Sequence, residues 1–439
     1  MGAINVKHTG SGADIALSSD GTSLLLDGTA IGGGGGGADL YAAETTGSTD
    51  PTATGTLSLA IGSGTAVSGN QAVGIGKSST VAGFRAAAFG GDNIASQEKS
   101  LALGFGASST GIRSAAIFGD VAATDSLALG VGTYVQATKA TALGYNADVI
   151  SAGTNGAAIG YNAYVAGSGA TALTNSYASG EDSFAAAIGN NTSSYGATGA
   201  NSVAIGYLAK ATAIGSTALG RNCSANGDYS IVLGNGPVTG STGSYSVAMA
   251  GASVSNDSSF GYGAEVVGVS GHDRSMMLGR GVKSRVKGGV HFGGYNGLGA
   301  GRNQSGIYIL SLQSTDATPT ALTTTNTAAS TDNQVILPED AAYVFEGTIV
   351  VRQNESGTNA GTDSAAWKVQ GLIRRESTAS TTVLVASTVT AISNTPSWGL
   401  ALTADTTNGG LKIEATGQAS RNLRWVGTIY TTEVLHPYA

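Results

Sequence analysis

One short motif, returning every fourteen residues, constrains this chain more than any other feature. Its form is Ser/Ala-x-Ala-aliphatic-Gly, as in Ser58-Leu-Ala-Ile-Gly62, Ser100-Leu-Ala-Leu-Gly104, Ser126-Leu-Ala-Leu-Gly130 and Ser202-Val-Ala-Ile-Gly206. The closing glycines at 62, 76, 90 and 104 are fourteen apart, as are 206, 220 and 234, and 279 and 293. Gaps of 15 to 17 elsewhere fit loop insertions of one to three residues. Signatures and degenerate copies together give about seventeen units.

A unit this short is too small for a helical hairpin, and a glycine in each would cost a helix about 1 kcal/mol. The aliphatic-x-aliphatic triplet before each glycine has the period of a strand. A second short strand often follows, as in Thr65-Ala-Val67 or Ala147-Asp-Val-Ile150. Two strands and two turns per coil is the simplest reading. Coils then stack through parallel ladders at about 4.8 Å, with glycine at corners that need positive φ or close approach. We therefore expect an all-β chain, a parallel β-roll or β-solenoid of 14-residue coils. Its interior of Ala, Val, Leu and Ile is too thin for one chain to bury much, so the outer apolar faces call for a partner.

Composition agrees. Glycine numbers 69 of 439 residues, only 11% are charged, and 41% are hydrophobic, which argues against disorder. Six prolines and no Gly-X-Y period exclude collagen. A net charge of −7 gives no electrostatic footprint for nucleic acid. A single cysteine, Cys223, excludes an intrachain disulfide framework and reads as a small buried residue of the repeat. No apolar run approaches the ~18 residues of a membrane span, so no membrane insertion is expected. The start, Met1 to His8, shows no signal peptide, which implies synthesis in a cytoplasm.

Residues 1–31 read as a short β-rich attachment segment and residues 32–55, opening on six glycines from Gly32 to Gly37, as a linker. The coils occupy 56–300. From 303 glycine thins out and all three tryptophans appear, Trp367, Trp398 and Trp425. Strand-like runs such as Tyr343–Val351, Ala366–Ile373 and Leu423–Tyr430 predict a C-terminal β-sandwich, jelly-roll-like, over 303–439.

The Ser-x-Ala-Ile-Gly units resemble the head repeats of trimeric autotransporter adhesins, over residues 56–295. That resemblance implies a left-handed β-roll and a homotrimer. The basic stretch with Arg274, Arg280, Lys283, Arg285 and Lys287 resembles the neck that closes such heads; its side chains are expected to pair with acids of neighbouring chains, with binding to an anionic surface as the alternative. No heptad stalk or anchor strands follow. The layout instead looks like a tailed-phage fibre: attachment piece, linker, rod and β-rich tip. This implies a virion tail protein, made in a host cytoplasm, joined through its N-terminus to tail or baseplate proteins. Its partner would be a host surface glycan or outer-membrane protein. A bacterial cell-surface adhesin, a head-decorating fibre and a polysaccharide-degrading tailspike are the alternatives.

Candidate chemistry is sparse. The acids of the rod, Asp92, Glu98, Asp120, Asp125, Asp148, Asp182, Asp228, Asp257 and Glu265, are scattered. None recurs with aromatic neighbours that would make a sugar cleft, so the chain reads as a non-enzyme without cofactors. His272, Asp273 and His291 are a weak metal signal and read better as polar neck residues. Receptor contacts are expected on long polar loops of the C-terminal domain, at Asn354, Asn359, Asp363 and Trp398, the last stacking on a sugar or sitting in the core.

Overall fold

The computed structural model describes residues 4–6, 15–19, 24–26, 29–30, 49–189, 194–235, 240–294, 299–354, 361–393 and 398–436. The chain divides into two compact units, 1–193 and 194–439. The first begins with four short antiparallel strands, Ile4–Val6, Ile15–Ser19, Leu24–Leu26 and Thr29–Ala30. The glycine run expected to act as a linker lies outside the described residues.

A parallel β-solenoid of about 14-residue turns occupies residues 52–293. In the first unit each coil contributes a two-residue strand to one sheet and a longer strand to another. The short strands run from Thr52–Ala53 to Tyr177–Ala178 and the longer ones from Leu59–Ile61 to Phe184–Ala186. The motif marks the longer strand, and the short strand of the first coil lies just ahead of it. Each strand pairs in parallel with its equivalent one coil on, as Ala88 with Ala102 and Val135 with Val149.

The interior is as thin as the sequence implies. Ala88, Ala102, Ala128, Ala142 and Ala158 form a fully buried column on the longer strands. The short strands supply Val81, Val121, Val135, Val149 and Val165, equally buried. Small polar residues fill an inner corner and donate to the next coil's glycine carbonyl. Thr65 Oγ1 reaches Gly76 O at 2.8 Å, Ser79 Oγ reaches Gly90 O at 2.9 Å, and Asn93 Nδ2 reaches Gly104 O at 2.9 Å. Those glycines permit the approach. Gly130 has φ +132°, and a Cβ there would lie 1.6 Å from the carbonyl oxygen of Gly144.

In the second unit the short strands run from Gly196–Ala197 to Ser253–Val254 and the longer ones from Val203–Ile205 to Val290–Gly293. Cys223 fills the inner corner, 1% exposed, its Sγ 3.1 Å from Gly234 O. The longer-strand interior changes from alanine to Met277 and then His291, both fully buried.

The parallel stack of this unit ends by reversal. Val290–Gly293 pairs antiparallel with Asn303–Ser314, so the solenoid sheet runs directly into the C-terminal sheet. From there the order is Leu423–Leu435, Ala341–Gln353, Ser364–Arg375 and Val383–Ser393, antiparallel throughout. A smaller sheet joins Gly399–Asp405 to Gly410–Thr416, which also pairs with Thr320–Ala321 and Val335–Ile336. One core takes residues from both sheets: Tyr308, Phe345, Trp367 and Trp425 from the larger, Leu411 and Ile413 from the smaller. Two layers over one core is the expected sandwich in that sense. The strand Gly399–Asp405 was not anticipated; its only sequence signal is the alternation of Leu400 and Leu402, which pack partly buried against the core. Among the described residues no helix is long and apolar enough to cross a membrane, which says nothing of strands.

The glycine ladder gives a direct test. Gly106, at φ +69°, has open space where a Cβ would stand, so Gly106→Ala should cost only the left-handed penalty of about 1–2 kcal/mol. Gly130→Ala adds a backbone clash and should cost more than about 3 kcal/mol. Urea unfolding of both variants measures this; equal losses would contradict the close-approach role.

Candidate functional surfaces

The residues that flank each buried alanine point away from the coil interior. In the first unit Leu103, Ile117, Leu129, Leu143, Ile159 and Leu173 stand in register on successive coils. In the second, Ile205, Leu219, Leu233, Met249, Tyr262, Leu278 and Phe292 do the same. Leu143 and Ile159 are each 38% exposed, and Ile205 37%. In the second unit the same face continues past Phe292 onto the C-terminal sheet, where Ile309, Val344, Val350, Tyr430 and Val434 are half-exposed or more. Contiguous apolar columns of this length mark an interaction surface.

The basic stretch expected at a neck is split by the fold. Arg285 points inward, its Nε 3.1 Å from Glu433 Oε2, with both side chains almost fully buried. Gln304 Nε2 donates to the same oxygen at 2.9 Å, while Tyr308 Oη and Thr431 Oγ1 donate to Oε1 at 2.7 and 2.9 Å. Arg285 also donates to Gly301 O. Arg280 pairs with Glu265 at 2.7 Å and Lys287 with Asp332 at 2.7 Å. Three of the five therefore meet an acid of their own chain, where acids of neighbouring chains were expected. Arg274 is exposed beside Asp273 and Lys287 in a shallow groove, and the Lys283 backbone is held at both ends by the Gln304 amide.

His291 lies inside the last coil with its ring edge-on to Tyr308 at 5.6 Å, and both ring nitrogens lack a partner. Burial depresses its pKa from 6.5 to about 4; the Glu433 carboxylate opposes the shift, and Arg285 and His272 reinforce it. His272 is held instead by Ser284 O, 3.2 Å from Nδ1. Among the described residues no three His, Cys, Asp or Glu side chains gather to hold a metal ion.

The expected receptor residues do not converge. Trp398 is 3% exposed and sits 6.4 Å from Trp425, itself stacked on Trp367. The sugar-stacking expectation for Trp398 is thus corrected: its ring is core. Asn354 and Asp363 are exposed, and Asn354 lines a groove of about 660 Å³ with Gln313, Arg352, Asn422 and Arg424. Asn359 lies outside the described residues.

Sequence reasoning missed the outer face of the short strands. There Asp120, Tyr134, Asp148, Tyr164 and Tyr177 occupy one position on five successive coils. The rod's acids are therefore not all without aromatic neighbours. The available signal was the residue before each buried Val, in Asp120-Val121, Tyr134-Val135, Asp148-Val149 and Tyr164-Val165. Partial burial raises the Asp120 and Asp148 carboxyls above the ordinary value, against a backbone hydrogen bond that lowers each.

Comparison with known proteins agrees with the repeat. Residues 53–79, 82–107, 95–117, 122–147 and 197–222 match the YadA head domain repeat (2 copies). The chain thus carries YadA head repeats that fold as a β-solenoid. No curated protein matches the sequence. Among solved structures, it is similar to a tailspike protein, gp49, from Acinetobacter baumannii bacteriophage Fri1, a capsular polysaccharide depolymerase. Identity is 9% over 91% of this chain and 80% of that one, with a TM-score of 0.25. It is also similar to the tailspike protein of the Acinetobacter phage vB_ApiP_P1, at 10% identity over 92% and 82%, with a TM-score of 0.20.

The buried histidine makes stability depend on pH with a definite sign. With its folded pKa near 4 and its unfolded value near 6.5, its contribution is complete above pH 6.5 and is lost as pH falls towards 4, by about 3 kcal/mol. In His291→Met, which copies the Met277 position one coil earlier, urea midpoints read by tryptophan fluorescence should vary less across that window. An unchanged slope would contradict the assignment.

Proposed function

We propose that the protein is a homotrimeric fibre of a tailed-phage virion that binds the host surface. It works by adhesion and not by catalysis. The observation that carries the reading is the apolar outer face of the longer strands. Its columns repeat once per coil, at about 4.8 Å. Only a surface with the same rise can match such columns along their length, and a further copy of the chain has that rise. The matched repeat supports the same reading, since heads built from it in trimeric autotransporter adhesins are three-chain assemblies. Three chains also multiply weak single contacts into useful avidity.

The virion placement rests on the layout: YadA head repeats followed by a tryptophan-cored antiparallel domain. In a fibre, the exposed residues Asn354 and Asp363 would belong to the end that meets the host. The neck role of Arg274, Arg280, Lys283 and Lys287 narrows to whatever surface their own-chain partners leave free. One observation favours a bacterial cell-surface adhesin as second reading, namely the family of the matching repeat.

Antibody labelling of intact particles, paired with competition by the purified protein, tests the proposal. Gold at the tail and reduced adsorption of the phage to its host are expected. Label on bacterial envelopes with none on particles would overturn it in favour of the second reading.

A further inference from the structure

We propose that the outer face of the short strands in the first unit, across Asp120, Tyr134, Asp148, Tyr164 and Tyr177, binds a neutral hexopyranose glycan. Sugar C–H faces pack on the tyrosine rings, and sugar hydroxyls donate to the aspartate carboxylates. The inference deepens the adhesion reading and rests on it for the class of ligand.

The first observation is where the aromatics fall. Tyr134, Tyr145, Tyr161, Tyr164 and Tyr177 are all the tyrosines among the described residues of the first unit, and they sit on consecutive coils. The earlier coils carry phenylalanines such as Phe105 and Phe118 at other positions, but no tyrosine and no aromatic in this column, on the same backbone. Tyr145 and Tyr161 are about half exposed and stack at 5.7 Å along the adjoining corner. The solenoid does not need tyrosine at these positions, since coils without it fold alike.

The second observation is alternation. A ladder selected for stability places ring on ring, as Tyr164 and Tyr177 do at 5.1 Å and 5°. Asp148 stands between Tyr134 and Tyr164 and forfeits that contact. Two coil steps separate those rings, about 9.6 Å. Between them lies a carboxylate, and among the described residues no cation pairs with Asp148 or with Asp120. Aromatic faces alternating with hydrogen-bond acceptors are what a pyranose chain presents partners for. Its rings advance along an extended chain by a step comparable to one coil.

Charge selects neutral over acidic glycans. The basic residues of the first unit's coils are Lys77, Arg85, Lys99, Arg113 and Lys139, and none occupies the column. An acidic sugar would meet two carboxylates with no compensating cation. The face also stays open if copies associate through the leucine and isoleucine columns, because the two outer faces of a two-strand coil look away from each other.

Titration calorimetry of the full chain with cellohexaose and maltohexaose, two neutral probes, tests the inference. Binding of at least one at millimolar concentration is expected. Tyr164→Ala and Asp148→Asn should each weaken it about tenfold, while Tyr164→Phe retains it. Tyr229→Ala, which disrupts a similar stacked pair in the second unit, should change nothing. Circular dichroism checks that each variant keeps the parent fold. Binding of neither probe overturns the inference, as does binding that survives in folded Tyr134→Ala/Tyr164→Ala. Binding confined to the cationic hexamer of glucosamine also overturns it. Particle labelling is read separately, so a tail protein that ignores both probes sinks this inference alone.

Discussion

Coil on coil, the interior of this protein is one small aliphatic side chain against another. Ala142 faces the short-strand column to which Val149 belongs, both at zero exposure, and little else apolar fits between. Every other feature follows from that narrowness. Inner corners take small residues: Thr65, Ser79, Asn93 and Cys223 supply a short donor to the next coil's glycine carbonyl without adding bulk, and Ala107, Ala147 and Ala163 simply fill the space. At corners such as Gly130 the glycine is required because the backbones approach too closely for a Cβ. On the alanine-lined coils the leucines and isoleucines that flank each buried alanine stand outside, in register, where water meets them.

The end of the second unit solves a related problem. An open parallel stack would expose the strand edge of its last coil. The antiparallel strand Asn303–Ser314 covers that edge, and the Arg285–Glu433 pair holds the junction. A buried ion pair is weak evidence for stability, but here the carboxylate accepts four hydrogen bonds from Arg285, Gln304, Tyr308 and Thr431. Such a network specifies one register between the last coil and the sheet, since any slip strands a charge out of water.

Much of this was legible in the sequence because the interactions are periodic. The recurring glycine locates most of the longer strands, though Ala115–Ile117 runs into Phe118 and escapes it, and the alternation in Tyr343–Val351 or Leu423–Tyr430 locates the long C-terminal strands. What stayed hidden depends on contacts the period does not encode. Arg285 reads as one member of a basic run that meets acids of neighbouring chains, yet its partner lies 148 residues on in its own chain. Trp398 looks like a loop aromatic beside a Pro-Ser turn, but the tryptophan cluster draws it into the core. The Asp148 and Tyr164 neighbours are sixteen positions apart, not fourteen, so they align only once a two-residue insertion is placed in the coil between them.

The central claim is that a chain this thin is completed by copies of itself along the aliphatic columns. Sedimentation equilibrium of the purified protein tests it most directly, with Leu143→Asp and Ile159→Asp as companions. Three chain masses for the parent, and loss of that assembly in the variants, are the results the account requires. A folded parent that sediments as a single chain, stable on dilution, would contradict it.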